Sequence, residues 1–186
     1  PMVGQSPYSA TKIGADQLAI SYFKSFDLPV KIVRPFNTYG PRQSARAIIP
    51  TVAAQLLNGS KTLKLGNLTP TRDLTFVKDT AKGFYEIAKA DGLYGEITNI
   101  GMSEEITIGD LVKLISGIIG VEVEVISDGQ RIRPDKSEVE RLFCNNEKIK
   151  ANTGWEPDYT LESGLKDTIS WMKDNMHYFK SDIYNV

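Results

Sequence analysis

Short β-branched runs alternate with helix-patterned segments along almost all of the 186 residues, and this alternation limits the fold more than any single residue does. A chain ordered this way pairs strands in parallel and packs the intervening helices against them, which is an α/β architecture. Residues 30–34 alternate in polarity as a strand does, and Pro35 is predicted to stop that strand. Residues 63–65, 73–77 and 96–100 are further strand candidates, and 121–126 reads as a half-buried strand. Helices are predicted over 45–58, 78–90, 107–119, 146–153 and 161–175. Asn58-Gly59 supplies a stop for the first of these, and Thr107 with Asp110 supplies a capping start for the third. Segments 36–43 and 128–139 read as loops, 141–144 as a brief extended piece and 176–186 as a tail.

The first helix is predicted to begin at Pro7, where a missing N–H is harmless, and to end at Asp27-Leu28-Pro29. Ala15, Leu18, Ala19, Tyr22, Phe23 and Phe26 make its apolar set. Tyr8 and Lys12 lie four residues apart, so they share one helical face. An ammonium beside a phenol favours the phenolate, and a tyrosine so tuned serves as a general acid or base near neutral pH. The same spacing also fits a helix whose tyrosine packs and whose lysine is solvated.

Net charge is −1 with no basic block, which argues against general nucleic-acid binding. Six arginines between Arg34 and Arg133 sit mostly in loops, a pattern suited to anionic small molecules. Cys144 is the single cysteine, so no intrachain disulfide forms and a reducing cytoplasm is expected; its apolar surroundings mark it as a small buried hydrophobe. His177 is the single histidine, so no metal site is expected. No apolar run approaches the ~18 residues of a membrane span, and no signal peptide is read.

Several loops fall in one order. Pro7-Tyr8-Ser9-Ala10-Thr11-Lys12 is followed by Arg34-Pro35-Phe36-Asn37-Thr38-Tyr39-Gly40-Pro41-Arg42, then by Ile48-Ile49-Pro50 and by Arg72-Asp73-Leu74-Thr75-Phe76-Val77-Lys78-Asp79. Asn99-Ile100-Gly101 and Arg131-Ile132-Arg133-Pro134-Asp135-Lys136 complete the series. This order resembles the extended short-chain dehydrogenase/reductases, in their NAD-dependent nucleotide-sugar epimerase/dehydratase branch. Residues 34–50, with Gln43 to Ala47, look most like the 4,6-dehydratases acting on UDP-N-acetylglucosamine.

The resemblance implies that Tyr8 is the catalytic acid/base at sugar C4 and that Lys12 binds the nicotinamide ribose. It places Pro35 and Phe36 against the nicotinamide and Asn37 against the sugar or its diphosphate. It makes Arg72 and Arg133 a diphosphate clamp, with Arg42 and Arg46 as lesser anion candidates, and brings Ile49, Pro50, Leu63 and Leu65 near the uracil. Ile49 to Leu65 fit a helix start and a strand core equally well. Asp79 is expected to be a structural partner rather than a catalytic carboxylate, while Asp135 and Lys136 would reach the nucleotide ribose. The implied chemistry is hydride transfer from sugar C4 to NAD, followed by loss of water across C5–C6 in a dehydratase or return of hydride to the opposite face in an epimerase.

No glycine triplet after a strand occurs anywhere in the chain. The expectation is therefore the C-terminal part of such an enzyme: residues 1–44 as the end of the NAD-binding Rossmann domain, 45–175 mainly as a nucleotide-sugar-binding subdomain with segments returning to the Rossmann sheet, and 176–186 as a tail. A whole enzyme of this kind is expected to be a homodimer, and the chain alone to be inactive. The alternative from another class is a non-catalytic nucleotide-sugar-binding or dimerisation module.

Overall fold

The computed structural model describes residues 3–128 and 139–179. Helix α1 (Pro7–Phe26) begins with a capping box: the Ser6 hydroxyl accepts from the Ser9 N–H, the Ser9 hydroxyl accepts from the Ser6 N–H, and Pro7 occupies the first turn. Asp27, with φ 51°, closes the helix by donating its N–H to the Phe23 carbonyl. None of its 20 residues is fully buried. Its half-buried stripe is Ser9, Ile13, Asp16, Ala19, Ile20 and Phe23, while Leu18, Tyr22 and Phe26 face outward, so the apolar set read from spacing is divided between two faces. Gly95 lets Phe23 dock: a Cβ there would lie 2.1 Å from the ring.

Strand β1 (Ile32–Pro35) runs parallel to β6 (Ile97–Ile100), and β2 (Asn37–Tyr39) runs parallel to β5 (Leu74–Phe76). β1 does end at Pro35, with the proline as its last paired residue. It pairs with Ile100, and the strand has no second neighbour among the described residues, so its missing N–H breaks no ladder there. The predicted loop 36–43 contains β2, three residues too few to show a period. Phe36 hands the chain from one strand pair to the next, donating its N–H to the Ile100 carbonyl at 2.8 Å.

A third parallel pair joins β3 (Thr62–Leu65) to β8 (Glu124–Ser127), leaving 121–123 outside the strand. A short antiparallel pair, absent from the sequence reading, joins β4 (Thr71–Arg72) to β7 (Ile106–Thr107). Helices α2 (Ile48–Leu57), α3 (Val77–Lys89), α4 (Ile108–Ile119), α5 (Glu147–Thr153) and α6 (Leu161–Asp174) complete the described elements, followed by a 3-10 turn at Met176–Tyr178. Helix α2 starts three residues later than predicted, and of 141–144 only Arg141 pairs, with Thr71.

Two apolar clusters result. The larger packs α2, α4 and α6 on Leu63, Leu65, Leu74 and Phe76; the smaller gathers Ile87, Ile100, Ile149 and Trp155 beside β1 and β6. Asp79 joins their neighbourhoods by accepting the N–H groups of Asp158 and Tyr159, while its carbonyl accepts from the Trp155 indole.

Candidate functional site

In parallel α/β pairs the C-terminal strand ends are where loops can surround a ligand. Here β1 and β6 end together at Pro35 and Ile100. Pro35 is exposed, and Phe36 and Asn37 are half-buried. Asn37 is held in register with Leu74, so its backbone is part of a strand rather than a free turn. Leading into this point, Arg34 reaches back to α1, donating from Nε to Asp16 Oδ2 at 2.7 Å, with Nη2 on the same oxygen. Asp16 lies one turn beyond Lys12 and two beyond Tyr8, so the ion pair ties the Tyr8–Lys12 face to the end of β1.

Tyr8 is 71 % exposed. The Lys12 ammonium lies over its ring, 5.5 Å from the centroid, as a cation–π contact. The two residues therefore share a face as their spacing predicts and stand open to a ligand.

Arg72 lines a separate cleft of about 220 Å³ with Leu74, Met102, Glu104, Glu105, Ile106 and Leu161. Its Nη1 donates to the carbonyls of Thr71 at 2.8 Å and Val139 at 2.7 Å. One wall of the cleft is shaped by Asp73, which is wholly buried. Its carboxylate accepts the N–H groups of Met102 at 2.8 Å, Ser103 at 3.0 Å and Cys144 at 3.1 Å, with Glu104 as a further backbone donor. Burial pushes the Asp73 carboxyl above its ordinary value, against the downward pull of those donors. The turn they hold places Ser103 at φ 57°, and its hydroxyl donates to the Cys144 carbonyl.

At the rim, Arg141 grips Glu105, with Nε 3.0 Å from both carboxylate oxygens and Nη2 2.8 Å from Oε1. The Thr71 hydroxyl donates to Oε2 at 2.7 Å. Hydrogen bonds from Arg141 and then Thr71 hold the Glu105 carboxyl below its ordinary range.

The sequence-predicted residues divide accordingly. Tyr8, Lys12, Pro35, Phe36 and Asn37 are accessible in whole or part, and Arg72 lines the cleft. Ile49, Pro50, Leu63 and Leu65 are core: Ile49 is 1 %, Leu63 0 % and Leu65 2 % exposed, so their side chains pack inside the protein. That burial fits the helix-start and strand-core alternative, and the apolar residues lining the cleft are Leu74, Met102, Ile106 and Leu161. Arg133, Asp135 and Lys136 lie outside the described residues. Arg42, with φ 68°, and Arg46 are exposed and do not line the cleft. Burial, and then the Asp73 charge, push the Cys144 thiol up to about 12, so it carries no thiolate chemistry near neutrality. Among the described residues no group of three or more metal-ligating side chains forms, and no helix is long and apolar enough to cross a membrane.

Sequence reasoning missed Asp73, Glu105 and Arg141. Asp73 sits directly after Arg72 and could have been noticed as a charge within an apolar strand pattern; Glu105 and Arg141 are 36 residues apart and carry no local signal.

Parallel strand ends, an exposed Tyr-x-x-x-Lys helix and a cleft lined by Arg72 fit the nucleotide-sugar-modifying class of extended short-chain dehydrogenase/reductases. The comparisons agree: residues 1–168 match the family profile described as GDP-mannose 4,6 dehydratase, and the chain belongs to that family of nucleotide-sugar dehydratases and epimerases. It is 33 % identical over 185 residues to a dTDP-glucose 4,6-dehydratase of Neisseria gonorrhoeae, covering 94 % of this chain and 53 % of the relative. It is 30 % identical over 177 residues to a UDP-glucuronate 4-epimerase of Thermodesulfobacterium geofontis, covering 95 % and 53 %. The crystal structure of dTDP-glucose 4,6-dehydratase from Bacillus anthracis in complex with NAD superposes with a TM-score of 0.84 at 34 % identity, over 96 % of this chain and 56 % of that one. The chain thus spans about half the length of the curated relatives it matches.

Proposed function

We propose that the chain is the nucleotide-sugar-binding portion of an NAD-dependent 4,6-dehydratase acting on a UDP-N-acetylglucosamine-type substrate. The carrying observation is the Tyr8–Lys12 face tied through Asp16 and Arg34 to the strand end at Pro35, Phe36 and Asn37. Tyr8 and Lys12, both exposed, and the accessible Pro35 and Phe36 fit the nicotinamide end of NAD. When bound, NAD would supply the hydride acceptor for sugar C4. Tyr8 Oη takes the C4 hydroxyl proton as the carbonyl forms, and Lys12 holds the ribose. Arg72 supplies charge-assisted hydrogen bonds to the diphosphate, with Arg133 as its intended second arm. Asn37 orients the sugar. The apolar cleft floor of Leu74, Met102, Ile106 and Leu161 gives the base its contact surface.

The wider enzyme is proposed to work in the cytoplasm as a homodimer, a reading supported by the outward Leu18, Tyr22 and Phe26 of α1. The chain by itself is proposed to have no turnover. A second reading, a UDP-sugar 4-epimerase, draws support from the similarity to the UDP-glucuronate 4-epimerase.

Calorimetric titration of the purified chain tests these statements. UDP is expected to bind and Arg72→Ala to abolish that binding, while NAD alone binds weakly or not at all. Tighter binding of UDP-glucuronate than of UDP-N-acetylglucosamine would favour the epimerase reading. Formation of a 4-keto sugar by the chain with NAD would refute its inactivity.

A further inference from the structure

The Glu105 carboxylate is placed where simple electrostatics would not put it. It lines the same cleft as the Arg72 guanidinium, and a carboxylate there opposes the binding of an anion. Its partners explain the placement. Thr71 and Arg141 face each other across a parallel backbone bridge, in which Thr71 donates its N–H to the Glu140 carbonyl at 2.9 Å and Leu142 donates to the Thr71 carbonyl at 3.2 Å. Glu105 takes a hydrogen bond from the side chain of each bridged residue. It therefore staples the bridge from the side of β7, next to Ile106, the antiparallel partner of Arg72.

Two residues before Arg141, the Val139 carbonyl receives Arg72 Nη1 at 2.7 Å. The position of that carbonyl depends on the 139–142 segment staying on β4. Arg141 is braced further by the Phe143 ring, 5.0 Å from its guanidinium carbon.

We propose that Glu105 and Arg141 are positioning residues for the anion cleft, clasping segment 139–142 to β4 so that the Val139 carbonyl aims the Arg72 guanidinium at a nucleoside diphosphate. This rests on the diphosphate-binding reading of Arg72. The two competing effects of removing Glu105 have opposite signs, which makes the proposal testable. Loss of a nearby negative charge tightens anion binding, whereas loss of the clasp weakens it.

The test uses the chain with UDP as the probe, comparing wild type, Glu105→Ala, Arg141→Ala, the exchanged pair Glu105→Arg/Arg141→Glu, and Arg72→Ala. Glu105→Ala is expected to weaken UDP binding about tenfold, the equivalent of one charge-assisted hydrogen bond of about 1.4 kcal/mol. The exchanged pair is expected to recover most of that loss. Unchanged or tighter binding in Glu105→Ala overturns the proposal. A second readout needs no ligand: the Arg72 Nη–H resonances in low-temperature nitrogen-15 NMR, which include the Nη1 protons held by the Val139 carbonyl. They are expected to exchange with water about tenfold faster in Glu105→Ala, a loss of aim by the same 1.4 kcal/mol, and to return to wild-type behaviour in the exchanged pair. If wild type fails to bind UDP, the diphosphate reading fails, and the Arg72 resonances still decide whether the clasp exists: no change on Glu105→Ala removes it.

Discussion

Gly164 lies within α6, where glycine costs about 1 kcal/mol relative to alanine, so Gly164→Ala should stabilise the chain if helix propensity alone mattered. The packing around it reverses the sign. A Cβ at Gly164 would lie 2.3 Å from Tyr39 Oη and 2.9 to 3.0 Å from carbons of the Phe76 ring. Both aromatics are among the largest fully buried or nearly buried side chains, at 1 % and 2 % exposure, and neither can swing into solvent. Tyr39 is fixed by donating its hydroxyl to the Leu161 carbonyl at 3.0 Å. Forcing the ring aside costs about 1–3 kcal/mol of overpacking, and loss of that buried hydrogen bond costs about 1–3 kcal/mol more. Set against a gain of about 1 kcal/mol, the net is about 1–5 kcal/mol of destabilisation, centred near 3. With a urea slope of about 2 kcal/mol per molar, the midpoint should fall by about 1.5 M at unchanged slope, followed by helical circular dichroism. Gly117→Ala in α4 is the control: no atom lies within 4 Å of its Cβ, so it should be neutral or stabilising by up to about 1 kcal/mol. Adding Tyr39→Phe to Gly164→Ala removes the closest atom and should recover part of the loss. A Gly164→Ala midpoint equal to or above wild type would refute the reasoning.

Three further outcomes are expected. The buried Cys144 thiol, at about 12, should resist aromatic disulfide reagents at pH 8 and react only on unfolding. Because its folded value exceeds the unfolded one of about 8.5, its stabilising contribution is complete below that pH and is lost as pH rises. Wild type should lose about 1.4 kcal/mol per pH unit between pH 9 and 11 relative to Cys144→Ala, and parallel curves would contradict this. Asp79→Ala strips the acceptor from two N–H groups, those of Asp158 and Tyr159, and should cost about 2–4 kcal/mol in urea denaturation; a cost under about 1 kcal/mol would mean that water replaces it. Asp16→Asn weakens the tie between α1 and β1, and since α1 buries no residue fully, hydrogen exchange of its amides should accelerate about 2–5-fold while the α4 amides stay unchanged.

Much of the fold was legible because its elements are locally specified. The helix-start residues Pro7 and Thr107, the alternation in 63–65 and the helical segment 161–175 each concern neighbours a few positions away. Three of the shortest strands were missed. β2, β4 and β7 exist because partners elsewhere in the chain complete their ladders, and no period can be read in so short a run. At the site, the Tyr8–Lys12 face and Arg72 were visible as spacing and residue type. That Ile49, Leu63 and Leu65 are buried was not legible, because an apolar residue beside a motif reads the same whether it lines a cleft or fills a core. Only burial separates Leu63 from Met102, and burial depends on what packs above each residue.

The sequence by itself determined that this chain alternates strands with helices, where most helices begin and end, and which family its motif order resembles. These properties arise from backbone sterics, capping hydrogen bonds and side-chain spacing within a turn or two. The tertiary structure decided which stripe of α1 meets the protein, that Asp73 is buried to gather the turn at Met102 and Ser103, and that Glu105 clasps Thr71 and Arg141 beside Arg72. Such choices belong to contacts between residues 18 to 71 positions apart, whose energies exist only once the chain has brought both partners together and removed the water between them.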